Sequence, residues 1–192
     1  MKVFERTILL ASRSPRRLQL LKEAGFRVRL CPNDVEEHFP HDLPRREVAA
    51  FLAEEKARHA EANLLPGEIL LTADSIVLMD DIIYGKPADR QEAITILQQL
   101  SGNTHEVITG VCLSDGEQRI VFDSTTKVTF HPLTEEEIEF YVDRYEPFDK
   151  AGAYGVQDWI GLCKVAHIEG TYSNVMGLPM EAVYHKLVEH FV

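Results

Sequence analysis

Two long runs rich in Val, Ile, Thr and Phe, residues 104–114 and 119–131, face each other across Asp115-Gly116. Residues of this kind suit the pleated, half-buried surface of a strand, and Asp-Gly is a hairpin turn signal because it tolerates a left-handed backbone. Antiparallel neighbours joined this closely cannot belong to a purely parallel, doubly wound sheet, in which each strand is followed by a crossover. Asp80-Asp81 is a second such signal, turning residues 68–79 back onto residues 82–84. The chain is therefore expected to be a mixed α/β fold.

Helical signals fill the remaining length. Residues 7–11 form an apolar strand, and Ser14 and Pro15 then supply an N-cap and a first helical position. The pattern Leu18, Leu21, Ala24 runs to Gly25. Residues 26–31 alternate as a second strand, and residues 32–44 read as an acidic, proline-bounded loop. A strong helix over 45–63 carries Val48, Phe51, Leu52 and Ala57 near one face. Further helices are expected over 89–100, over 134–145 with a Thr134/Glu137 capping box, and over 178–191. Residues 146–157 read as a glycine-containing loop and 160–168 as a last strand. No repeat or composition shift marks a linker, so residues 1–192 are read as one domain.

Composition narrows the function classes. At 192 residues and 45% hydrophobic, the chain can bury about 70% of its unfolded surface without a staple. Cys31, Cys112 and Cys163 are odd in number and lack C-x-x-C spacing, which suggests buried thiols in a reducing compartment. A net charge of −11 argues against coating a nucleic acid polymer, though a few local cations can still build a positive pocket for a small polyphosphate. No stretch approaches the roughly 18 apolar residues of a membrane span, and a cytoplasmic location is expected.

Five constellations could carry chemistry. The first is Ser12-Arg13-Ser14-Pro15-Arg16-Arg17 at a strand-to-helix turn, where free N–H groups and the dipole attract anions and three Arg supply bidentate donors. Arg ordinarily avoids a helix N-terminus, so the cluster breaks a local rule; a solvated basic turn fits the same letters. The second is Asp74 within Ile69 to Leu78, a carboxylate in an apolar strand that must be paired, bind metal or shift its pKa, or else sit at a bend bonded to backbone. The third, Asp34, Glu36 and Glu37, suits Mg²⁺ or Mn²⁺, but on the letters alone a solvated acidic loop is the leading reading; His38 and His41 beside it read as surface residues. The fourth is basic: Lys56 on the second helix, and Lys86 held between Gly85 and Pro87. The fifth, residues 149–157, combines small residues with Tyr154 and with Gln157, whose amide could read a base edge; a flexible connecting loop is the alternative. No G-x-x-x-x-G-K-[ST] loop, G-x-S-x-G elbow or H-E-x-x-H helix is present.

Six segments in order resemble the Maf family of nucleoside triphosphate pyrophosphatases, from Ile8 to about Pro179. They are A-S-R-S-P-R-R (11–17), A-D-S (73–75), G-K-P (85–87), S-G-N-T-H-E-V-x-T-G-V (101–111), D-K-A-G-A-Y-G-V-Q (149–157) and I-E-G-T-Y-S-N-V-M-G-L-P (168–179). The resemblance implies a mixed, largely elongated sheet with flanking helices in two lobes around a central cleft, related to the inosine triphosphate pyrophosphatases. It also implies metal-dependent cleavage between the α- and β-phosphates. Asp74 matches the proton-acceptor position, with Arg16, Ser75 and Gln157 at positions linked to substrate choice and Glu37, Lys56 and Lys86 at charged pocket positions. The D-K-A-G-A-Y form resembles the branch acting on dTTP and UTP rather than 7-methyl-GTP. Ser75 in place of the usual Thr and Asp158 in place of the usual Gly depart from the family and bear on base preference.

The expected site therefore comprises Asp74, Glu37, Lys56 and Lys86 for catalysis, with Asp74 and Glu37 holding Mg²⁺ or Mn²⁺. Ser12, Arg13, Ser14, Arg16, Arg17, Ser75 and Gln157 would bind the nucleoside triphosphate. The rival readings are a non-catalytic nucleotide-binding regulator of cell division and a pyrophosphatase for other bases. The resemblance is also compatible with a homodimer.

Overall fold

The computed structural model describes residues 2–31 and 38–192, so Glu37, with Asp34 and Glu36, lies outside the described residues. The strands are β1 (Thr7–Leu10), β2 (Arg27–Leu30), β3 (Ile69–Met79), β4 (Ile82–Tyr84), β5 (Thr104–Ser114), β6 (Arg119–Phe130) and β7 (Val165–Glu169). The helices are α1 (Pro15–Glu23), α2 (Val48–Ala60), α3 (Arg90–Leu100), α4 (Glu135–Tyr145), α5 (Trp159–Lys164), α6 (Tyr172–Val175) and α7 (Met180–His190). Among the described residues the strands form one sheet in the order β2-β1-β3-β5-β6-β7, with β4 added to β3. β1 runs parallel to both β2 and β3, whereas β4 is antiparallel to β3 and β7 to β6. The sheet is mixed, as the two hairpin signals require.

The local signals act through identifiable atoms. Asp80 and Asp81 both take positive φ (51° and 63°), the backbone a tight two-residue hairpin needs. Thr134 and Glu137 form the capping box that starts α4, and Asp89 caps α3 through the Glu92 N–H. Pro15 opens α1, but Ser14 makes no side-chain cap; instead Ser12 Oγ accepts the Ser14 N–H at 3.2 Å. The helix expected over 45–63 is α-helical only in its middle, with 3-10 turns at Arg45–Glu47 and Glu61–Asn63.

Two expectations need correction. Residues 160–168 are not one strand: α5 occupies the first part and β7 begins at Val165. Gly161 explains the difference, since a Cβ there would lie 1.8 Å from the Val156 carbonyl oxygen. Its own N–H and that of Leu162 both return to the Asp158 carbonyl, closing a helical turn. The thiols are also not uniformly buried, because Cys163 is exposed on α5. Cys112 is buried, and burial pushes its thiol up to about 12.

The chain divides into two compact units. The first comprises residues 1–74, 109–124 and 177–192, and the second residues 75–108 and 125–176. In the first, α2 packs against the sheet through Ala53, Ala57 and Ala60, which meet Leu9, Ala11, Leu70 and Cys112. Small side chains permit this close approach, and Gly110 on β5 demands it. A Cβ at Gly110 would stand 2.3 Å from the backbone of Ala49 and Ala50. In the second unit Tyr154, Phe130 and His105 pack edge to face, with centroids 4.9–5.4 Å apart.

Candidate active site

Asp74 projects from the middle of β3, an eleven-residue strand with no break at 72–75, so its carboxylate is not at a bend. Alternation along a strand places Leu70, Thr72 and Asp74 on one face, and helical spacing places Ala53 and Lys56 on one face of α2. Leu70 enters the alanine seam, Thr72 Oγ1 donates to the Ala53 carbonyl at 2.6 Å, and Lys56 Nζ donates to Asp74 Oδ1. The ion pair is largely desolvated, with side-chain exposures of 13% for Lys56 and 8% for Asp74. A lone carboxylate there would carry a large desolvation cost, which the ammonium offsets. Lys56, unremarkable as a lysine on a helix, thus becomes the partner of the buried acid.

The basic turn lies against the same strand. Ala11 N–H donates to the Leu71 carbonyl at 3.0 Å. Arg17 Nη1 donates to the Ala73 carbonyl at 2.8 Å and to Ser12 Oγ at 3.2 Å, and its Nε donates to the Gly177 carbonyl at 2.8 Å. Arg13 is exposed and Arg16 half-buried at the start of α1. The first unit therefore gathers Ser12, Ser14, Arg17, Lys56 and Asp74 around the end of its β3 segment.

Ser75, Lys86 and Gln157 belong to the second unit. Lys86 is exposed in a turn whose Gly85 carbonyl accepts the Gly152 N–H at 3.1 Å, which joins the G-K-P and D-K-A-G-A-Y segments. Gly152 has φ +71°, and a Cβ there would come within 2.7 Å of Val77 Cγ2, so a side chain is excluded on both counts. Further along the loop, Gly155 N–H donates to Tyr141 Oη at 3.0 Å, and Tyr141 Oη donates to Asp158 Oδ2 at 2.8 Å. Asp158 Oδ1 accepts from Gln157 Nε2 at 3.2 Å. A carboxylate only accepts, so the Gln157 amide is oriented with its NH₂ toward Asp158. Its Oε1 is buried and accepts no hydrogen bond among the described residues.

Tyr141 and Asp158 hold the Gln157 loop through these hydrogen bonds. In the sequence Asp158 stood out only as a departure from a glycine, and Tyr141 lay unmarked within the helix expected over 134–145. Gly110 was readable in principle, because a glycine inside a strand pattern signals close backbone approach.

Among the described residues no three His, Cys, Asp or Glu side chains converge as a metal cage. Mg²⁺ is commonly held by one or two carboxylates and the substrate's own phosphates, keeping several waters. Among the described residues Asp74 offers one hard oxygen donor of that kind, with Oδ1 shared by the Lys56 ammonium.

The family profile described as Maf-like protein matches residues 7–190. Curated relatives are the dTTP/UTP pyrophosphatase of Bacteroides thetaiotaomicron, 47% identical over 94% of both chains, and that of Flavobacterium psychrophilum, 45% identical over 98% of this chain and 97% of that one. The solved Staphylococcus aureus Ham1 protein aligns with 65% of this chain and 72% of its own at 16% identity and a TM-score of 0.43, too distant to carry an argument. With the match spanning nearly every residue and all six segments in place, this chain belongs to the Maf-like protein family.

Proposed function

We propose that this chain hydrolyses dTTP and UTP to the nucleoside monophosphate and pyrophosphate. The observation that carries the reading is the buried Asp74–Lys56 pair against the basic turn at 11–17. A desolvated carboxylate held in one orientation, adjoining clustered cations, suits proton transfer at a polyanion. The relatives named dTTP/UTP pyrophosphatase support the same reaction.

In this mechanism Asp74 accepts a proton from water as the water oxygen bonds to the α-phosphorus and the bond from that phosphorus to the bridging α–β oxygen breaks. Lys56 holds the carboxylate in place before and after the transfer. Arg13, Arg16 and Lys86 offset the charge that accumulates on the departing pyrophosphate. Mg²⁺ or Mn²⁺, held by Asp74 and Glu37, would polarise the phosphoryl oxygens and lower the pKa of a bound water. Gln157, oriented by Asp158, offers Oε1 as an acceptor, which matches the ring N–H of uracil or thymine and not the bare ring nitrogen of cytosine. Ser75 would contribute a hydroxyl to substrate choice.

No helix of the described residues is long and apolar enough to cross a membrane. We place the enzyme in the cytoplasm, a setting that three unpaired cysteines favour.

Incubation with dTTP, UTP, CTP and 7-methyl-GTP in the presence of Mg²⁺ tests the proposal. Pyrophosphate should appear with dTTP and UTP at the highest kcat/KM. Orthophosphate as the product, or a preference for 7-methyl-GTP, would refute it.

A further inference from the structure

Arg17 stands in the first turn of α1, where the helix dipole disfavours a cation, and its guanidinium turns back toward the protein's own backbone. Its donors reach three chain segments: Ser12 Oγ in the turn before α1, the carbonyl of Ala73 on β3, and the carbonyl of Gly177 ahead of α7. Ser12 Oγ in turn accepts the Ser14 N–H, so the same hydroxyl shapes the turn that carries the arginines.

The Ala73 carbonyl shares a rigid peptide plane with the N–H of Asp74. Fixing that oxygen fixes the plane from which Asp74 departs, while Lys56 fixes the far end of the side chain. The two restraints come from different elements, α1 and α2, and meet on one residue. A planar fork can serve acceptors lying in different directions, which the single nitrogen of an ammonium does not reproduce.

We propose that Arg17 is a positioning residue for Asp74, acting through the backbone at Ala73 and Gly177, and not a ligand of the phosphates. The proposal rests on the reading of Asp74 as proton acceptor. It divides the arginine cluster by role, leaving Arg13 and Arg16 for the anion and Arg17 for the geometry of the acid.

Arg17→Lys is the decisive variant because it keeps the charge and loses the fork. With dTTP and Mg²⁺ its kcat should fall about 100-fold, as misplacement of a reacting group by roughly 1 Å costs. KM and competitive inhibition by pyrophosphate should stay within about threefold of wild type. Amide hydrogen exchange at residues 73–75 and 177–178 should accelerate, with the circular dichroism spectrum unchanged. Retained kcat with raised KM and weaker pyrophosphate inhibition would instead make Arg17 a phosphate ligand and overturn the proposal. Unchanged exchange at 73–75 would overturn it as well. If wild type released no pyrophosphate from any nucleotide, the proposed reaction would fail, while the exchange measurement would still decide whether Arg17 holds the Asp74 backbone. Should Arg17→Ala not fold, the Lys variant alone carries the test.

Discussion

Asp74 on β3 and His105 on β5 both place an ionisable side chain where the surrounding strand is apolar, at 6% and 1% exposure. Asp74 meets the Lys56 ammonium. His105 meets a phenol, with Nε2 2.7 Å from Tyr154 Oη, and burial alone lowers its pKa to about 4. One site keeps a charged partner at the acid and the other packs a neutral ring edge to face with two aromatic rings. The contrast separates a buried carboxylate held by an opposite charge, which the proposed mechanism uses as its base, from a buried imidazole kept neutral among aromatic rings, although both break the same rule of burial.

The largest effect expected from this contrast falls on turnover. Asp74→Asn retains the shape of the side chain and a carbonyl acceptor for Lys56, so the fold should survive. Pyrophosphate release from dTTP should drop by about 10³-fold or more, the scale of losing a general base together with an electrostatic contact. Near-normal turnover by this variant would remove Asp74 from the mechanism. His105→Phe, by contrast, should leave kcat within a few-fold of wild type.

Stability should separate the two places next. Lys56→Met removes the ammonium that offsets the buried charge of Asp74, at a cost of about 3–5 kcal/mol in urea unfolding. Adding Asp74→Asn should recover much of that loss. Simple additivity of the two substitutions would show that the pair is not coupled.

A third prediction concerns pH. The folded-state pKa of His105 lies below its ordinary value of 6.5, so the unfolded chain binds the additional proton between about pH 4 and 6.5. The stabilisation is complete above pH 6.5 and is lost as pH falls toward 4, by about 3 kcal/mol across the window. His105→Phe should flatten the wild-type slope there, and equal slopes for both proteins would contradict the burial argument.

The smallest effect belongs to the Gln157 loop. Asp158→Gly removes the acceptor that orients the amide, and the ratio of kcat/KM for UTP over CTP should fall by less than about tenfold. An unchanged ratio would mean that Gln157 is oriented without Asp158.

Much of the architecture was legible along the chain because its signals are local. Asp80-Asp81, Asp115-Gly116, Pro15 and the Thr134/Glu137 box each act within a few residues, and each sits at the turn or helix end it marks. The apolar setting of Asp74 was likewise visible in the letters, since alternation and burial follow from the strand itself. The last strand was misjudged at its start because the turn over residues 159–164 depends on a close approach of Gly161 to the Val156 backbone, which a pattern of hydropathy does not register.

The sequence by itself determined that the chain is mixed α/β, that one carboxylate is committed to an apolar strand and that arginines crowd a helix start. These are matters of propensity and of the cost of burying charge, and each residue carries that information alone. Only the tertiary structure decided what the polar groups face. Lys56 reaches Asp74 because Gly110 and the alanines let α2 lie close to the sheet. Arg17 turns to Ala73 and Gly177, 56 and 160 residues away. Partners that distant are set by packing, because a donor's direction depends on the elements that enclose it and not on its neighbours in the chain.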